Sequence, residues 1–216
     1  MSALYVFALT DRPAPPMRHA KRRIEFVEVA GVHAAVERME SRPAVSEEAL
    51  RVQHEIVLEI ADVVNAILPV RFGALVDRAE LEAVVSMRLG PITKTLELVA
   101  GRVQMTARIF GATDAESQPN SSEPRPASGA AYLEQRRRAA AAPLSGDGEA
   151  ISRAVRHLVA DERAHVGEGR IRSTLYHLID RSAVADYEHA TAPFASSSLV
   201  ISGPWPPFAF VPDLWS

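Results

Sequence analysis

His54, Glu55 and Glu59 stand as H-E-x-x-x-E within a stretch of helical periodicity. An imidazole beside carboxylates is the material of a zinc helix or of acid–base catalysis. A zinc-protease helix needs a second His four residues after the first, and position 58 is Leu. The second ligand is missing, so a polar helix face is the better reading. His54 with Glu55 or Glu59 as acid and base defines an enzyme hypothesis, which requires a concave pocket around them. His157 and His165 are about two helical turns apart, too far to share one metal easily, and Asp161 lies between them. A solvated helix flank accounts for all three. Nucleophilic catalysis has no anchor, because the chain has no G-x-S-x-G and no cysteine. Neither phosphate-binding glycine motif occurs, and Gly167–Glu168–Gly169 reads as a turn after a helix. The expectation is a chain that is not an enzyme and has no metal and no cofactor.

Two other features have interaction chemistry. Arg71, Phe72 and Gly73 follow Pro69 on a short strand. An Arg among apolar neighbours needs a carboxylate partner, so the expectation is an ion pair with a neighbouring helix, the alternative being an interaction site. The C-terminal stretch GPWPPFAFVPDLWS crowds Trp205, Phe208, Phe210 and Trp215 among prolines. Such a segment either folds back and buries its aromatics or offers them to a partner as anchors. The expectation is that Trp205 packs on the second domain and at least one of Phe208 and Phe210 is buried. Arg136 to Arg138 form a short basic run that reads as a solvated helix face.

These residues have to be positioned by a chain of 216 residues, which suffices for one ordinary domain or two small ones. Apolar residues make up 47% and charged residues 24%, so a core can form. The net charge of −3 places a general nucleic-acid or membrane-surface binder at a disadvantage. No apolar run is long enough to span a bilayer, and the start lacks the basic region and length of a secretion signal. The lack of cysteine suits a reducing cytoplasm.

Ala3 to Leu9 reads as a strand buried on both faces. Asp11–Pro16 is a loop, and Ile24–Val29 and Val32–Met39 are strands joined by a tight turn at Ala30–Gly31. Ser46 caps a long helix with Glu47 and Glu48 in its first turn. Leu68–Phe72 is a short strand. Asp77 opens a helix that Gly90–Pro91 interrupts, and a second piece runs to about Ala100. Arg102–Phe110 alternates: Val103, Met105, Ala107 and Ile109 on one face, Gln104, Thr106 and Arg108 on the other. Ala112–Ser128 is polar and proline-rich and reads as a mobile loop. Helices follow at Gly129–Ala142 and from Ile151 to just before Gly167. Arg172–Ile179 is a strand, Ser182–Ala190 a short helix, and Ser197–Ser202 a last strand. The class is α+β in two small α/β-sandwich-like domains, 1–99 and 100–216, with the mobile loop at about 112–128 and an extended tail at 203–216.

The chain resembles the gas vesicle protein GvpL/GvpF family. The resemblance rests on His54 to Glu59, on ILPVRFG at 67–73 and on the strand Val103–Phe110. It continues through GAAYLEQRRR at 129–138 and LYHLIDR at 175–181 to SGPWPPFAFV at 202–211. Phe208 stands where Tyr is common in the family, and Gln104 where an acidic residue is typical. The resemblance implies a second domain with a modified ferredoxin-like fold. It also implies a non-enzymatic accessory or minor structural protein of gas vesicles, the gas-filled protein shells assembled in the cytoplasm. Its partners would be the hydrophobic shell protein, whose aggregation it would limit during nucleation, and other gas vesicle accessory proteins. No nucleic acid, membrane or small-molecule substrate is implied. Arg71, Phe72, Trp205, Phe208 and Phe210 are the candidate partner-binding or structural residues. The alternative, RNA binding on a ferredoxin-like sheet, requires basic and aromatic groups on the sheet face, where Arg102–Phe110 offers Arg108 and Phe110.

Overall fold

Strand β1 (Ala3–Thr10) is buried from Leu4 to Thr10, as its unbroken apolar run dictates. In the computed structural model, which describes residues 3–111, 146–167, 170–196 and 198–212, it is the inner strand of a six-stranded sheet. The segments read as a mobile loop at Ala112–Ser128 and as a helix at Gly129–Ala142 lie outside the described residues, as do Glu168, Gly169 and Trp215.

The chain divides into two compact units, residues 1–104 with 204–216, and residues 105–203. In the first unit, β2 (Met17–His19), β3 (Arg22–Val29) and β4 (Val32–Met39) precede a long helix. Ala30 (φ 49°) and Gly31 (φ 87°) are both left-handed, as the two-residue turn between β3 and β4 requires. Helix α1 (Glu47–Val63) starts where the sequence indicates, with the Ser46 side chain accepting from the Ala49 N–H at 3.1 Å. It stops at Val63, well before Pro69. Then come β5 (Ile67–Pro69) and β6 (Leu75–Val76), of which β6 is too short to show a period. Asp77 caps α2 (Arg78–Met87) through the Glu80 N–H at 2.8 Å, and α3 (Leu89–Val99) follows after a break at Arg88.

The sheet order is β2-β3-β4-β1-β5, with β6 also paired to β1. Strand β1 pairs antiparallel with β4, β5 and β6, as β3 does with β2 and β4. Helix α1 buries Ile56, Val57 and Ile60 against Tyr5, Phe7, Ile24 and Ala35. These positions on α1 recur at helical spacing and form its apolar stripe.

Strand β7 (Arg102–Phe110) matches the predicted span, yet Gln104 and Thr106 are buried along with the apolar face. In the second unit it joins α4 (Gly146–Val155), β8 (Val159–Val166), β9 (Ile171–Asp180), α5 (Val184–Thr191) and β10 (Leu199–Trp205). The four strands take the order β10-β7-β9-β8. Ala107, Ile109, Ile151, Leu175 and Leu199 form the core of this unit.

One expected element is corrected. The helix predicted from Ile151 to the glycines ends at Val155, and Val159–Val166 is a strand paired antiparallel to β9. The stretch Val159–Val166 has no helical apolar stripe of its own, and pairing to the long apolar β9 supplies its backbone partners. His157 and His165 therefore do not share a helix flank: His157 precedes β8, and His165 lies on β8 opposite Thr174.

The strand pairing also sets Glu162 opposite His177. His177 is fully buried, with Nε2 2.9 Å from Glu162 Oε2 and Nδ1 2.6 Å from the Tyr187 hydroxyl. A neutral ring donating from Nε2 to the carboxylate and accepting from the tyrosine satisfies all three groups. Burial pushes the His177 pKa down, against the opposing pull of Glu162, and pushes that of Tyr187 up. Because the folded-state pKa is depressed, the unfolded chain takes up the proton first as pH falls. The stability from neutral His177 is present above the unfolded value of about 6.5 and is lost below it. Melting temperature is expected to fall between pH 7.5 and pH 5.5, and less steeply in His177→Phe, as scanning calorimetry would measure. Equal pH slopes for the two proteins would contradict this assignment.

Candidate functional site

A buried hydroxyl organises the first unit's most irregular loop. Tyr5 projects from β1 and donates to Gln53 Oε1 on α1, and it accepts from the Gly73 N–H at 3.0 Å. Gln53 Nε2 in turn donates to the Val70 carbonyl at 2.9 Å. Burial raises the Tyr5 pKa, opposed by the Gly73 N–H and by the charges of Arg22 and Arg42, so the hydroxyl stays protonated and able to donate. The loop is also tied at both ends to β1: Val70 N–H to Phe7 O at 2.8 Å, and Val6 N–H to Ala74 O at 2.9 Å. Between these ties Gly73 takes φ +90°, a conformation that side chains other than glycine's rarely adopt. The chain consequently bulges, and Arg71 and Phe72 are presented at its apex.

Phe72 meets the Tyr5 ring edge-on at 6.3 Å. Arg71 is exposed and has no hydrogen-bond or ion-pair partner among the described residues. The expected carboxylate from a neighbouring helix is therefore absent among them. The bulge carries the guanidinium into water, so its charge needs no protein partner. Arg42 lies beside the loop, its Cδ 3.4 Å from where a Cβ on Gly73 would sit, and it too has no ion-pair partner among the described residues.

The tail returns to this unit. Trp205 and Phe208 pack on His54 of α1, with ring centroids at 5.6 and 5.8 Å, the second pair stacked at 24°. Gln104 Oε1 accepts from the Ala209 N–H at 2.8 Å, which explains why the polar face of β7 is buried there. Phe210 is fully buried, while Phe208 keeps 40% of its surface exposed. Docking Phe210 contributes about 1.5–3 kcal/mol. The expectation that at least one of the two phenylalanines is buried holds. The expected packing of Trp205 on the second domain does not: its ring sits on His54, and residues 204–216 group with residues 1–104. The aromatic face around His54 lies on α1, and sequence spacing alone did not reveal that the tail returns to it.

Together the loop and the tail line a groove of about 610 Å³. Arg42, Arg71, Phe72 and Phe208 are its distinctive walls, with Pro69, Val70, Val211 and Pro212 completing them. Of the residues singled out in the sequence, the structure gathers Arg71, Phe72 and Phe208 here. Trp205 and Phe210 anchor the tail. The sequence reading missed Tyr5, Arg42 and Gln53. Gln53 did leave a signal, since it shares the helical spacing of Ile56, Val57 and Ile60 and so marks a polar group in a core stripe.

The acid–base set is not assembled. His54 faces the tail aromatics, while Glu55 and Glu59 bracket His19 of β2 at 3.4 and 2.8 Å. Among the described residues, no group of three or more His, Asp or Glu is placed to hold a metal ion. No described helix is long and apolar enough to cross a membrane.

These features define a mixed α/β protein of mainly antiparallel sheets with an apolar groove flanked by arginines. The sequence matches the family described as gas vesicle synthesis protein GvpL/GvpF over residues 3–212, and the chain belongs to that family. Two solved structures have the same fold. One is the gas vesicle protein GvpF from Anabaena sp. PCC7120, with TM-score 0.71 and 13% identity, covering 98% of this chain and 99% of that one. The other is GvpF from Microcystis aeruginosa, also with TM-score 0.71 and 13% identity, covering 96% and 98%. No curated protein matches the chain.

Two substitutions test how the site is held. Tyr5→Phe leaves the Gln53 oxygen and the Gly73 N–H without their buried partner, and is expected to cost about 1–3 kcal/mol in urea denaturation. His54→Ala, made in a Trp215→Phe background so that Trp205 is the only indole, is expected to shift tryptophan emission to longer wavelength as the tail loosens. Unchanged emission would show that the tail docks without His54.

Proposed function

We propose that this protein is a non-enzymatic assembly factor that binds the hydrophobic gas vesicle shell protein and limits its aggregation while the shell nucleates. The observation that carries this reading is membership of the GvpL/GvpF family over residues 3–212. The groove supports it. A chaperone of an apolar subunit has to cover surface that otherwise self-associates, and aromatic side chains beside an apolar cleft suit that task. Phe72 and the half-exposed Phe208 offer such contacts, so we assign the groove as the partner-binding face. Other gas vesicle accessory proteins are further partners, and the protein acts in the cytoplasm during assembly and at the vesicle. The second unit is a modified ferredoxin-like fold, a reading supported by its strand order β10-β7-β9-β8 and by the helices α4 and α5 between strands. The separation of His54 from Glu55 and Glu59 supports the non-enzymatic reading.

Co-expression of the tagged chain with the host's shell protein tests the proposal. Affinity capture is expected to recover the shell protein, and light scattering of diluted shell protein is expected to rise more slowly when the chain is present. Phe208→Ser is expected to weaken both effects with the fold intact by circular dichroism. Capture of no shell protein by the wild-type chain would refute the assignment.

A further inference from the structure

Several arginines of the first unit have an acidic partner and several do not. Arg22, Arg23, Arg38, Arg51 and Arg78 each have a glutamate within 4 Å, namely Glu37, Glu25, Glu25 again, Glu55 and Glu82. Arg12, Arg18, Arg42 and Arg71 have none among the described residues, and of these four Arg42 and Arg71 line the groove. Among the described residues no carboxylate lines that groove: its other walls are apolar side chains, small residues and the amide of Gln53. In a chain of net charge −3, two uncompensated cations on an otherwise apolar cleft are a local reversal of charge.

The loop beneath the arginines is held in place. Arg42 packs its methylene stem over Gly73, and Arg71 rides on a loop pinned by the Tyr5–Gln53–Val70 bonds. A guanidinium favours a planar oxyanion, which it can meet with two parallel N–H bonds. A nucleotide or free phosphate brings two or more charges with their hydration, which the surrounding prolines, valines and phenylalanines cannot match. A side-chain carboxylate flanked by apolar residues matches both the charge and the walls. The volume of about 610 Å³ accommodates a short stretch of chain, within the range of about 300–1,000 Å³ for ligand sites.

We propose that the groove takes an apolar polypeptide segment of a partner protein, held by Arg42 and Arg71 through one Asp or Glu side chain of that segment, with Phe72 and Phe208 contacting its apolar neighbours. This rests on the reading of the groove as the partner-binding face. It adds that recognition is read out through a carboxylate and not through apolar area alone.

The probe is an array of immobilised apolar heptapeptides, capped at both ends, whose central residue is Glu, Asp, Gln, Asn or Lys. The full-length protein is expected to bind the best Glu or Asp peptides at least about tenfold tighter than their Gln or Asn counterparts, a difference worth about 1.4 kcal/mol. Arg71→Gln and Arg42→Gln are each expected to erase that preference without lowering the melting temperature, and Arg71→Lys is expected to restore part of it. Binding that ignores the central residue, or no binding at all, overturns the proposal. A preference that survives both Arg→Gln changes also overturns it, because the carboxylate is then read elsewhere. So does a preference that emerges only when the chain is ended at Pro212, which would assign the groove to residues 213–216 of the chain itself. Self-association that disappears with Arg71→Gln, in place of peptide binding, would assign it to a second copy. Failure of shell-protein capture with the carboxylate preference intact removes the proposed function and leaves this inference standing. Capture without the preference does the reverse.

Discussion

The Tyr5 hydroxyl is the constraint on which the groove depends. It is a buried polar group on a strand, so it has to be satisfied within the protein. Gln53 and the Gly73 N–H do this, and they come from a helix 48 residues away and a loop 68 residues away. One bond thus fixes the rotation of α1 over the sheet, and the other fixes the bulge that presents Arg71 and Phe72. Apolar packing alone tolerates small rotations of a helix on a sheet, whereas a directional bond to an amide does not. The left-handed Gly73 and the Arg42 stem above it follow from that bulge.

Much of the first unit was readable from local chemistry. Ser46 and Asp77 mark their helices because a short oxygen side chain reaches the third N–H ahead. The unbroken apolar run of β1 gave its two-sided burial, and Ala30–Gly31 gave the hairpin. What escaped depends on contacts distant in sequence. β8 looked like the continuation of a helix because its backbone partner, β9, lies beyond the next turn. The ion pair expected for Arg71 assumed that the residue stays in a strand between helices, while the bulge at Gly73 turns it to solvent. The aromatics of the tail were recognised as anchors, but which surface they meet is set by His54, whose chemistry pointed toward catalysis.

The second unit solves a similar problem differently. Its polar set, the buried His177 and Tyr187 with the surface Glu162, spans two adjacent strands and a helix packed on them, and it is closed by a neutral imidazole. Such a network stabilises only in one protonation state. The first unit uses an amide and a tyrosine, whose hydrogen-bonding roles do not change near neutrality. The groove therefore keeps its shape across a pH interval in which the second unit loses stability.

The return of the tail has a consequence for biosynthesis. The first unit contains residues 1–104 and 204–216, so its groove lacks Phe208, Val211 and Pro212 until the intervening segment has been translated. On the ribosome, the sheet and helix α1 are able to form early, but the groove is incomplete until residues 208–212 emerge from the exit tunnel. A nascent chain thus has no complete groove before its second unit has been made, and termination before Phe208 leaves the cleft without the tail's wall.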